Sequence, residues 1–144
     1  MDKNPIIIVA GEPNSIFLEI FFKSIKTQHY KCPLIIIASK KLVEEQMKKL
    51  GFIFEINILD KNYKRFNKLN NKKINLINVE YRFNNCFEKI SNKSNNYIKE
   101  SFKIALEIII KNKFSKFING PISKKSFLKG KTLGITEYLA KKTK

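Results

Sequence analysis

Residues 6–10 read Ile-Ile-Ile-Val-Ala and residues 33–39 read Pro-Leu-Ile-Ile-Ile-Ala-Ser. A strand with one wet face alternates apolar and polar residues; neither run does, which is the pattern of a strand covered on both faces. The first run ends in Gly11-Glu12-Pro13. A helix is expected next, with Asn14 or Ser15 accepting an N–H at its start, Glu19 near its positive end, and Ile16, Phe17, Ile20 and Phe21 forming a wide apolar stripe. After the second run, Lys-Lys-Leu-Val-Glu-Glu-Gln-Met-Lys-Lys-Leu gives a second helix stopped by Gly51. This β-α-β-α order predicts an α/β fold with a mainly parallel sheet and helices on both faces.

The remainder continues the alternation. Partial alternation over Phe52 to Leu59 and over Lys73 to Val79 predicts two further strands, joined by a polar loop. From Ser94 to Asn112, Ile98, Phe102, Ala105, Leu106 and Ile109 recur at helical spacing opposite lysines and glutamates, the strongest helical stripe of the chain. A short strand, Lys-Phe-Ile-Asn, precedes Gly120-Pro121. Proline at a first helical position costs little, so a short helix is expected from Pro121, ended by Gly130. Residues 1–144 thus read as one α/β region. In such sheets ligands collect at the carboxyl ends of the strands, so Gly-Glu-Pro-Asn-Ser (11–15) and Asn-Gly-Pro-Ile-Ser-Lys-Lys (119–125) are the candidate site loops.

Composition narrows the function classes. With 43% hydrophobic residues the 144-residue chain can build its own core, and 29 Lys+Arg against 12 Asp+Glu give a net charge of +17. The lysines run along the whole chain rather than in one basic block, which argues for a general attraction to anions and against a dedicated nucleic-acid site. Cys32 and Cys86 fit neither a zinc pattern nor a disulfide framework, and His29 is the one histidine. No signal or membrane segment is apparent, so a cytoplasmic protein is expected. Gly130-Lys131-Thr132 resembles the end of a nucleotide-binding loop, but that loop needs a glycine where Lys125 stands.

Val-Ala-Gly-Glu-Pro-Asn-Ser-Ile-Phe-Leu-Glu-Ile near the start and Ile-Asn-Gly-Pro-Ile-Ser-Lys-Lys through Gly-Ile-Thr-Glu-Tyr near the end together resemble the N-terminal part of the 4-hydroxythreonine-4-phosphate dehydrogenase family of vitamin B6 biosynthesis. Gly11, Glu12, Pro13, Ile16 and Glu19 match the family's G-[DE]-P-A-G-I-G-P-E loop. Gly120, Pro121 and Lys124 match T-G-P-x-x-K, and Gly134, Thr136 and Glu137 match G-H-T-E, with Ile135 in place of the histidine. The resemblance implies the two-domain fold of isocitrate and isopropylmalate dehydrogenases, of which this chain would be the first part. It also implies NAD-dependent oxidation of 4-phosphooxy-threonine to a 3-oxo acid that decarboxylates, aided by a divalent metal and carried out by a homodimer.

By the same resemblance Thr136, Ile135, Lys124, Gly11 and Glu12 face the substrate. The metal ligands and most of the NAD site belong to the second half of the family fold, so the chain by itself is not expected to be competent. Thr136 also stands where it could cap the helix that begins with Glu-Tyr-Leu-Ala. The competing reading is a non-catalytic α/β domain that binds phosphorylated metabolites or polyanions through its lysines.

Overall fold

The computed structural model describes residues 3–132 and 134–144. Five strands, β1 (Ile6–Val9), β2 (Leu34–Ala38), β3 (Ile56–Ile58), β4 (Ile74–Asn78) and β5 (Phe117–Asn119), form one sheet in the order β3-β4-β2-β1-β5. Every pairing is parallel, with Ile7 opposite Ile35 on one side and opposite Phe117 on the other. The continuous apolar runs are explained by their surroundings: Ile7, Val9, Ile35, Ile36 and Ile37 have no exposed surface at all.

Four helices connect and cover the strands: α1 (Phe17–Thr27), α2 (Lys40–Leu50), α3 (Asn95–Asn112) and α4 (Ile135–Thr143). The step from β1 to β2 and the step from β4 to β5 run in opposite directions across the sheet. With right-handed crossovers, α1 and α3 therefore lie on opposite faces. Two aromatic clusters follow from this. Phe22 of α1 meets Phe52 and Phe54 with ring centroids 5.5 and 6.4 Å apart, while Phe102 of α3 meets Phe117 and Phe127, each at 6.4 Å. The ends of α2 follow the sequence reading: Ser39 Oγ accepts from Leu42 N, and Gly51 closes the helix at φ 74°.

Three expectations need correction. In α1 the buried stripe is Leu18, Phe21 and Phe22, whereas Ile16 and Ile20 are 68% and 53% exposed, because the helix starts at Phe17 and turns its i, i+3, i+4 face to the sheet. β3 covers only Ile56–Ile58, since Phe52 and Phe54 leave the ladder to stack on Phe22. The short helical segment near the end does not begin at Pro121. It is a π-turn over Lys124–Leu128, capped by Ser123 Oγ accepting from Ser126 N at 2.9 Å, and it ends on two left-handed residues, Lys129 and Gly130.

Candidate functional site

β1 and β5 are neighbours, so the loops that leave their carboxyl ends meet, as the placement of the two sequence motifs predicts. The approach is as close as backbone allows. Gly120 N donates to Val9 O at 2.7 Å, and Glu12 N donates to Pro121 O at 2.8 Å. A Cβ on Gly120 would lie 2.0 Å from Ala10 O, and one on Gly11 would lie 2.5 Å from Pro121 O. Gly11 also sits at φ 75°, where an L side chain is strained. Both motif glycines are there because no side chain fits between the two loops.

Glu12 is turned inward and only 3% exposed. One carboxylate oxygen accepts from Asn14 N at 3.2 Å and Asn14 Nδ2 at 3.5 Å; the other accepts from Ser94 Oγ at 3.0 Å, just before α3. Asn14 Oδ1 in turn accepts from Glu88 N at 2.8 Å. The carboxylate therefore fastens the β1–α1 loop to the segment entering α3, and its backbone N–H fastens it to the β5 loop.

Around this knot stand Tyr81 and Tyr97, with ring centroids 5.0 Å apart. Tyr97 Oη accepts from Ser39 N at 3.2 Å. Burial pushes the Tyr97 hydroxyl well above the ordinary tyrosine range, against the opposing effect of the Ser39 N–H. Burial likewise raises Tyr81, against its hydrogen bond with Asn14. Behind the loop, Gln46 Nε2 donates to Pro13 O at 2.9 Å and to Cys86 O at 2.8 Å, pinning the turn from the α2 side.

The other candidate residues lie further along the chain. Lys124 is exposed on the first position of the π-turn. Ile135 is half-buried and packs against the core, and Thr136 is exposed in the first turn of α4. Thr136 does not cap that helix: Gly134, extended at φ −168°, holds the cap position without a side-chain bond. α4 itself is anchored through Tyr138, whose ring lies 5.6 Å from Phe102 and 5.1 Å from Phe127. His29 is exposed just beyond α1, and Cys32 and Cys86 are not joined in a disulfide. Among the described residues no group of three or more His, Cys, Asp or Glu converges.

Residues 30–144 match the family described as pyridoxal phosphate biosynthetic protein PdxA. The chain belongs to this family. The matched stretch includes Lys124, Ile135 and Thr136, while Gly11 and Glu12 lie before it. No curated protein matches the sequence. Among solved structures, a 4-hydroxythreonine-4-phosphate dehydrogenase from Burkholderia phymatum is similar at TM-score 0.78 and 22% identity over 95% of this chain. One from Klebsiella pneumoniae is similar at TM-score 0.79 and 16% identity over 96% of it. At these identities the likeness establishes the fold. This PdxA-family chain spans 42% and 43% of the length of those two chains.

The Ser94–Glu12 contact is the part of the site that sequence reading missed. Ser94 is a residue of helix-capping type ahead of the strongest helical stripe, and that signal was present. Nothing local in the sequence points to a carboxylate 82 positions earlier.

Proposed function

We propose that this chain is part of an NAD-dependent 4-hydroxythreonine-4-phosphate dehydrogenase acting on 4-phosphooxy-threonine in pyridoxal phosphate biosynthesis, and that its β1 and β5 loops form one wall of the substrate site. The observation that carries this reading is the locked contact of the Gly11-Glu12-Pro13 and Gly120-Pro121 loops at the carboxyl ends of adjacent strands, in a chain of the PdxA family. NAD, when bound, would accept hydride from the substrate's secondary alcohol, leaving a 3-oxo acid that loses carbon dioxide.

The described residues of this chain do not fit a divalent metal, which needs several convergent ligands. The reading leaves metal and most dinucleotide contacts to the second half of the family fold, along with assembly into a homodimer. What this chain offers is positioning. Gly11 and Gly120 let the two loops touch, Glu12 holds them to α3, and Lys124 and Thr136 present a cation and a hydroxyl suited to a phosphorylated amino acid. Ile135 brings an apolar surface beside Thr136.

The net charge of +17 supports the second reading, a domain that holds phosphorylated metabolites or polyanions through lysines alone. Titrating the isotope-labelled chain with 4-phosphooxy-threonine while following amide signals separates the two. Saturable shifts at Gly11, Glu12, Gly120 and Thr136 are expected. Shifts confined to lysine-rich segments and erased by salt would favour the second reading.

A further inference from the structure

Of all the asparagines in the chain, Asn119 alone precedes a glycine, and it does so where β5 passes into the Gly120-Pro121 loop. The T-G-P pattern matched by that loop has threonine at this place, so the Asn-Gly pair departs from it. Such a pair can react without an enzyme. With no Cβ on the glycine to crowd the approach, its peptide nitrogen can give up its proton and attack the asparagine Cγ. The N–Cγ bond forms, the side-chain nitrogen leaves as ammonia, and a five-membered succinimide closes. Water then opens the ring at either carbonyl, giving aspartate, or isoaspartate, whose backbone runs through the former side chain. The balance is asparagine and water in, acid and ammonia out, with no oxidant or reductant.

The fold holds every participant away from this reaction. Gly120 N, the attacking atom, donates to Val9 O at 2.7 Å. Asn119 Nδ2, the leaving group, donates to Gly120 O at 2.9 Å. Asn119 is extended opposite Val9 in β5. A parallel strand has ψ of about +115°, which carries the next nitrogen away from Cβ, whereas ring closure needs the two nearly eclipsed. Reaching that conformation would swing the Gly120 peptide out of its bond to Val9. There is no room to swing in place, since even a Cβ on Gly120 would lie 2.0 Å from Ala10 O. The strand itself, however, is three residues long and stands at the sheet edge, the kind of element that opens ahead of global unfolding.

We propose that Asn119-Gly120 is a self-modification site gated by the β1–β5 contact. While the contact is closed the amide persists; each opening exposes it to cyclisation. The product cannot close the contact again. Aspartate sets a carboxylate oxygen against Gly120 O where Nδ2 now donates, and isoaspartate lengthens the backbone by a methylene just before the glycine that must reach Val9. A chain whose two loops have parted is thereby marked permanently. The chemistry needs only water, so it does not depend on the dehydrogenase reading.

The test is to incubate the full chain at mildly alkaline pH, folded and in guanidinium chloride above the unfolding midpoint, and to follow conversion at Asn119 by peptide mass spectrometry. Conversion should proceed in the unfolded chain and run about tenfold or more slowly in the folded one, because the open form is a minor state. Glu12→Ala, which loosens the β1–α1 loop, should speed conversion of the folded chain and leave the unfolded rate unchanged. Asn119→Asp installs one product directly and should lose hydrogen-exchange protection at the Gly120 amide. Equal rates in folded and unfolded chains would overturn the proposal whether or not either variant folds, as would an unfolded chain that does not convert. So would a folded Glu12→Ala that converts no faster than the unsubstituted chain, or a folded Asn119→Asp with Gly120 fully protected.

Discussion

Two glycines with positive φ separate steric from conformational need. Gly11 has both a φ of 75° and backbone in the way; Gly51, at φ 74°, has nothing within 4 Å of where a Cβ would be. Gly51→Ala should therefore cost only the left-handed penalty, about 1–2 kcal/mol. Gly120→Ala, which sets a methyl 2.0 Å from Ala10 O, must push two backbone loops apart. A loss of about 1–3 kcal/mol or more is expected, read as a lower midpoint in urea unfolding. Glu12→Gln tests the knot itself. One of its two oxygens becomes an N–H₂ that faces either the Ser94 hydroxyl, which can accept, or the Asn14 N–H, which cannot. If the amide takes the tolerable orientation the loss should be near the worth of one charged hydrogen bond, about 1.5–3 kcal/mol. Glu12→Ala, which leaves the Asn14 N–H without this acceptor and leaves Ser94 Oγ only Ser91 O at 3.3 Å, should lose more in the same measurement.

At the scale of elements, β1, β2, α2 and α3 were legible because each carries a strong periodic or both-faces-buried pattern, with Gly11 marking the end of β1 and Gly51 the end of α2. β3 was over-extended in the sequence reading because Phe52 and Phe54 have strand propensity but find aromatic partners on α1 instead. The start of the last turn was misplaced because Pro121 suits a first helical position, while Ser123 is the residue whose hydroxyl finds a free N–H. Of the candidate site, the two glycine-proline loops could be read; the clamp from Ser94 could not, since it depends on where α3 begins in space. That clamp has a pH signature. Tyr97 lies at its base with a hydroxyl raised above its ordinary value of 10.0, chiefly by burial. A raised value means that the stability it contributes is complete below the unfolded tyrosine range and is lost as pH climbs above it. Alkaline titration should accordingly show Tyr97 ionising together with loss of the helical circular-dichroism signal, and Tyr97→Phe should move that unfolding to higher pH. Ionisation of all five tyrosines before any loss of structure would contradict this.

The whole molecule sets repulsion against apolar exposure. A charge of +17 keeps copies apart at low salt, while Ile53, Ile16 and the edge residue Ile118 are 96%, 68% and 47% exposed. Because screening shortens the reach of charge to about 8–10 Å near physiological salt, self-association should rise with added salt, as followed by sedimentation. Ile118→Lys on β5 should suppress it. The pairing of β1 with β5 carries a different consequence, one of timing. Residues 7–9 find their partners at 117–119, so the two loops cannot meet until synthesis has passed residue 119. During synthesis at about 5–20 residues per second, β1 can already join β2 while its other edge stays bare for several seconds. In a growing chain the strand Ile-Ile-Ile-Val is thus sealed by the same event that completes the Gly11–Gly120 contact. A ribosome that stalls before residue 117 would leave an unsealed apolar edge, the kind of nascent chain that chaperones are needed to hold.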